Sequence, residues 1–166
     1  MKKKLILLFL SSFLVSWGFS QIIAVSGSNY ERIEKACQLL RTYDYDVYES
    51  MVVHSIIQSY TDPTEGKFSS TNRIDNGNFW ILIGKGSLEE RSINRLAGTI
   101  FHESLHMLFA LSRFRKGRSA SFYDLSEKEK KQEEFSIYKR TRELLIRLNT
   151  SPWEIHEYDN WASPYY

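Results

Sequence analysis

The chain has 166 residues, of which 42% are hydrophobic and 25% charged, with 22 basic and 20 acidic side chains. So even a balance gives no support, on charge grounds, for a partner such as nucleic acid or an anionic membrane surface. The single cysteine, Cys37, excludes an internal disulfide.

The N-terminus opens Met1-Lys2-Lys3-Lys4 and continues from Leu5 to Phe19 with little polar beyond serine. Three lysines, a short apolar run and the small residues Gly18 and Ser20 read as a secretory signal peptide, residues 1–20, cut between Ser20 and Gln21. The apolar run is about fifteen residues, short of the ~20 that a spanning helix needs. No cysteine follows it, which argues against a lipoprotein anchor. Residues 21–166 are therefore expected to form one exported domain, secreted or periplasmic, with no stable membrane anchor after cleavage. Without the three leader lysines the balance is 19 basic against 20 acidic residues, a net of −1. That length suffices for one domain with its own core.

Three segments carry Ser-x-x-Glu, the pattern of a serine N-cap whose partner three residues on reaches back to it. Ser28 to Glu31 opens a helix with Tyr30, Ile33, Cys37 and Leu40 on one face, ending near Tyr43. Cys37 on that face reads as a small core residue. Asp46 to Tyr60 holds Val47, Met51, Val52, Val53, Ile56 and Ile57 and suits a helix better than one or two strands. Asp62-Pro63 and Glu65-Gly66 mark a turn. Asn76-Gly77 before Phe79-Trp80-Ile81-Leu82-Ile83 predicts a hairpin returning into a buried strand.

Ser87 to Glu90 is the second start signal, for a long helix ending over Arg113 to Gly117, where basic residues and a glycine suit a C-terminus. Ser126 to Glu129 is the third, for a helix to about Asn149, with Pro152 barring continuation. The tail, 151–166, holds Trp153, His156, Tyr158, Trp161, Tyr165 and Tyr166. Aromatics at that density predict a segment folded back over the domain. The fold class is α+β: mainly helical, with a small sheet packed on the second long helix.

That helix contains His102-Glu103-Ser104-Leu105-His106. Histidines four apart share a helix face, so both imidazoles reach one metal ion. Glu103 falls beside it, where a carboxylate can take a proton from water. A solvated face with chance histidines fits poorly. The neighbours are Leu96, Ala97, Ile100, Phe101, Leu105, Met107, Leu108, Phe109 and Leu111, and a helix apolar all round is buried. Buried ionisable groups need partners.

A catalytic metal site uses three protein ligands and an open position. A third histidine six after His106, with glycine three after it, is ruled out by Phe109 and Ser112. On the helix after Ser126, the apolar residues Phe135, Ile137, Tyr138, Leu144, Leu145, Ile146 and Leu148 point in a mean direction close to Glu134. A carboxylate there needs a cation opposite: a metal ion, or an arginine across the interface. Glu133 lies about a quarter-turn off, and His156 and Asp124 are further candidates.

His102-Glu103-x-x-His106 followed by the helical Glu134, with Glu134-Phe135-x-x-Tyr138 and Leu144-Leu145 after it, resembles the gluzincin branch of the zincin metallopeptidases. The resemblance covers residues 87–148. It implies a zincin-like fold, Zn2+ held by His102, His106 and Glu134, Glu103 as general base, and a peptide or protein substrate. In such peptidases a strand edge beside the motif helix commonly holds the substrate extended. Tyr138, Tyr123, His156 and His54 are candidates for the oxyanion donor. Two other functions fit the same motif: a non-catalytic zincin-like binding domain, and a toxin or effector with one dedicated protein target.

Overall fold

The computed structural model describes residues 23–24, 28–60, 70–75 and 78–163. The leader, the turn at Asp62-Pro63 and Glu65-Gly66, the hairpin turn at Asn76-Gly77, and Tyr165 and Tyr166 lie outside the described residues.

Helix α1 (Ser28–Tyr43) buries Ile33, Ala36, Cys37 and Leu40, the i, i+3, i+4, i+7 stripe of an amphipathic helix. Burial, with Glu34 nearby, pushes the Cys37 thiol up to about 12, so it is an inert core group. The segment expected to be helical through Tyr60 divides. Helix α2 (Tyr45–His54) is capped by Asp44, whose carboxylate accepts from Val47 N at 3.3 Å. Strand β2 (Ser55–Tyr60) follows without a break. The β-branched run favours extended chain once a partner strand is at hand; that partner is far off in sequence.

The sheet also contains β1 (Ile23–Ala24), β3 (Ser70–Asp75) and β4 (Asn78–Gly84), in the order β1-β2-β4-β3. β2 runs parallel to both β1 and β4. β3 and β4 pair antiparallel with Asp75 opposite Asn78, the register of the hairpin expected around Asn76-Gly77. Ile57, Ile81 and Ile83 are fully buried.

The start of the long helix departs from expectation. Ser87 lies inside a short helix, α3 (Lys85–Glu89), and the long helix α4 (Ile93–Arg115) is capped by Ser92, whose Oγ accepts from Arg95 N at 3.1 Å. Tertiary contacts decide this. The Arg32 guanidinium of α1 donates to the carbonyls of Leu88 and Arg91, satisfying backbone acceptors where the chain breaks. Glu154 accepts from Ser92 N at 2.9 Å and Oγ at 2.8 Å. The other end is as expected: Gly117 takes φ +69°, a left-handed turn that glycine adopts without strain.

Helix α5 (Glu127–Arg147) begins in the expected capping box between Ser126 and Glu129. Phe135 and Ile146 of its apolar set are exposed, whereas Ile137, Leu144 and Leu145 are buried. α5 packs on α4 where Gly98 meets Leu145; a Cβ at 98 would lie 2.5 Å from Leu145 Cδ2. Asn149, at φ 54°, turns the chain into α6 (Pro152–Ala162). Pro152 opens that next helix, where its missing N–H costs nothing; α5 itself already ends at Arg147, before the proline. α6 packs back on α5 with Tyr158 buried, as expected for the tail. The architecture is α+β and mainly helical, with strands β3 and β4 against α4. No described helix is long and apolar enough to cross a membrane.

Candidate metal centre

Residues Arg95 to Met107 of α4 are buried without interruption, polar side chains included. The helix fills the space between the sheet, α1 and α5, so its polar groups must find partners inside the protein. His102 is 4% and His106 6% exposed. One turn apart, their rings meet edge to face with centroids 5.1 Å apart.

Glu134 of α5 completes a group. Its Oε1 lies 3.3 Å from His106 Nε2 and its Oε2 3.7 Å from His102 Nε2. The three side chains offer ligand atoms within 4.8 Å of one another, close enough to hold a metal ion. Glu134 Oε2 is buried with no hydrogen-bond partner. A buried carboxylate oxygen left so is costly, and a cation between it and the two imidazoles would satisfy all three. The donor set of two imidazoles and a carboxylate suits a divalent transition metal.

The outer nitrogens of both rings are engaged. His106 Nδ1 donates to Glu133 Oε1 at 2.9 Å. A carboxylate only accepts, so Nδ1 carries a proton, and Nε2 is the nitrogen left for a metal to take in place of a second proton. Glu133 is held in turn by Arg113, which also donates to the Ala120 carbonyl at 2.9 Å. On the other ring, His102 Nδ1 lies 3.0 Å from the Tyr158 hydroxyl. The arginine that α5 pairs with across the interface therefore belongs to Glu133, and Glu134 is left for the histidines.

The field at the two imidazoles differs. Burial, then His106 and Arg95, hold His102 well below the ordinary histidine range. Burial alone would lower His106 too, but hydrogen bonds to Glu133 and Glu134, with Glu103 close by, push it up to about 9. This corner of the site thus favours positive charge. Glu103, 4% exposed, lies on the same helix one residue past His102.

Other sequence candidates fall elsewhere. His156 is exposed on α6. Asp124 is exposed and accepts from Ser119 Oγ at 2.5 Å. His54 is exposed at the end of α2 and lines a different groove with Leu108 and Arg115. Tyr138 donates to Asp159 at 2.8 Å and stacks on Tyr158, a packing role. Tyr123 lines a cavity of about 250 Å³ that reaches His106 and is walled by Ile74 of β3, Phe79 of β4, Phe122, Arg113 and Glu133. Arg113 and Tyr158 are the residues the sequence reading missed. Arg113 carries no local signal; the aromatic density of the tail flagged Tyr158 without a target.

No family model matches the chain, and no curated protein or solved structure is significantly similar to it; the functional reading rests on the geometry of His102, His106 and Glu134.

Proposed function

We propose that the protein is an exported zinc-dependent peptidase in which His102, His106 and Glu134 hold the metal and Glu103 moves the proton. The observation that carries this reading is the convergence of two histidine Nε2 atoms on Glu134 with both Nδ1 atoms already engaged. Tetrahedral zinc with bonds of about 2.0–2.1 Å sets ligand atoms about 3.3 Å apart, and the Glu134 contacts are 3.3 and 3.7 Å. Among the described residues three ligands converge, whereas structural zinc sites are closed by four; three leave a position for water and substrate. That count favours catalysis over a non-catalytic binding domain.

Zinc in this place would supply a Lewis acid that acidifies water and polarises a substrate carbonyl. Glu103 then accepts the proton of the attacking water and delivers it to the nitrogen of the leaving amine. Its burial keeps that carboxylate out of bulk solvent, where proton transfer would compete. Glu133 and Tyr158 hold the two imidazoles. Tyr123, alone of the four donor candidates on the wall of the cavity beside His106, is the phenol this reading favours as donor to the carbonyl oxygen. Strand β3, at the end of the described sheet, brings Ile74 to the same cavity and offers an edge for an extended peptide.

The test is Glu103→Ala assayed against a proteome-derived peptide library. Cleavage is expected to fall by about 10²-fold or more with zinc content unchanged. A variant that cleaves as fast as the wild type would overturn the proposal.

A further inference from the structure

Tyr158 has more holding it than a core tyrosine requires. It is 2% exposed, and its ring is gripped by groups from three helices. The Arg95 guanidinium of α4 sits 4.7 Å above the ring centroid. Tyr138 of α5 stacks at 5.4 Å and 16°. Trp161 of α6 itself stacks at 5.8 Å and 22°. The one polar atom of this fixed ring lies 3.0 Å from His102 Nδ1. Trp161, half exposed, also meets the His102 ring edge to face at 5.2 Å.

The same helix grips α4 a second time. Glu154, one turn before Tyr158, accepts from the backbone N and Oγ of Ser92, the cap of α4. Helix α6 thus holds the metal-bearing helix at its N-cap and at its first histidine. Imidazole ligands bind more tightly when the far nitrogen is oriented by a hydrogen bond.

We propose that Tyr158 is a positioning residue of the metal centre, and that α6 is a clasp whose docking on α4 is linked to metal binding. This rests on the reading of His102, His106 and Glu134 as metal ligands. A metal on Nε2 would leave the ring proton on His102 Nδ1, which then donates to the Tyr158 oxygen and keeps Nε2 turned toward Glu134. The bond needs α6 docked, so anything that strengthens His102 as a ligand also strengthens the docking. The coupling is reciprocal: bound metal must stabilise α6 by the free energy that α6 adds to metal affinity.

The test has two arms, both on the full chain. In the first, zinc affinity is measured by competition with a chromophoric chelator for wild type and Tyr158→Phe, beside the far-UV spectrum and the thermal midpoint of each without metal. Phenylalanine keeps the ring and its stacking and removes only the hydroxyl. Zinc affinity is expected to fall about 10–100-fold while the metal-free midpoint stays close to wild type. In the second, amide exchange over residues 152–162 is followed in wild type with and without zinc, and is expected to slow when zinc is added. Equal zinc affinity in Tyr158→Phe overturns the positioning role and leaves the peptidase reading standing. Unchanged exchange in a wild type that binds zinc overturns the clasp; this arm needs no variant, so it decides the clasp even if Tyr158→Phe fails to fold. A wild type that binds no zinc removes the functional reading, and this proposal with it.

Discussion

The two sides of the candidate metal centre are built from different chemistry. At His106 the grip is ionic: Glu133 accepts from the ring and is clamped by Arg113, which is tied to the Ala120 carbonyl. At His102 it is aromatic: a phenol packed among Arg95, Tyr138 and Trp161. The ionic side fixes the tautomer outright, because a carboxylate cannot donate, but it buries two charges that depend on each other. The aromatic side buries no full charge in Tyr158 itself: burial pushes the phenol above the ordinary tyrosine range, so it stays neutral. What differs is the failure mode. Breaking the ionic side should damage the fold and the site together, whereas breaking the aromatic side should loosen the site and spare the fold.

The largest effect should come from removing a ligand. His106→Ala is expected to abolish zinc binding, with a thermal midpoint that no longer responds to added zinc, as calorimetry would record. Glu133→Gln comes next, because it leaves the buried Arg113 without its counter-charge. A loss of about 3–5 kcal/mol is typical for breaking such a pair, read from urea denaturation, together with weaker zinc binding. If Tyr158→Phe cost as much stability as Glu133→Gln, the contrast between the two sides would be wrong.

Gly98→Ala tests the spacing on which both sides depend. The added methyl meets the buried Leu145 side chain and should push α5 from α4, costing about 1–3 kcal/mol and reducing zinc affinity. Full retention of both would mean that Leu145 can move aside at no cost to the ligands. The last test concerns Cys37 of α1, which leaves both histidine partners untouched at neutral pH. The Cys37 thiol rises from 9.0 to about 12 in the folded chain, so its contribution to stability is complete below pH 9 and is lost as pH rises toward 12. Thiol reagents at pH 8 should label it only in denaturant; rapid labelling of the native protein would contradict its place in the core.

What was legible in the sequence was local. Ser126 and Glu129 are three apart and their capping box forms as expected. His102 and His106 are four apart, and helix geometry alone puts their imidazoles together. Glu134 could be reached because a carboxylate in the middle of an apolar stripe needs a reason to be there. The start of α4 could not: Ser87 and Ser92 both suit a cap, and the choice is made by Arg32 and by Glu154, the latter 62 residues beyond Ser92. β2 was hidden for the same reason, since only pairing with β4 makes Ser55–Tyr60 a strand. The outer partners of the histidines lie 27 and 56 residues away: helical periodicity put Glu133 near the apolar face and aromatic density marked the tail of Tyr158, but neither signal said which ring nitrogen each would meet. Residue spacing thus reported the group that could hold a metal ion, and folding reported what orients its rings.

The most direct measurement is the metal content of the purified chain after zinc loading and desalting, compared with that of Glu134→Ala. The account predicts one zinc per wild-type chain and a large loss in the variant, with anomalous scattering locating the ion between His102, His106 and Glu134. A wild-type chain without stoichiometric metal, or a Glu134→Ala variant that holds zinc as tightly as wild type, would contradict it.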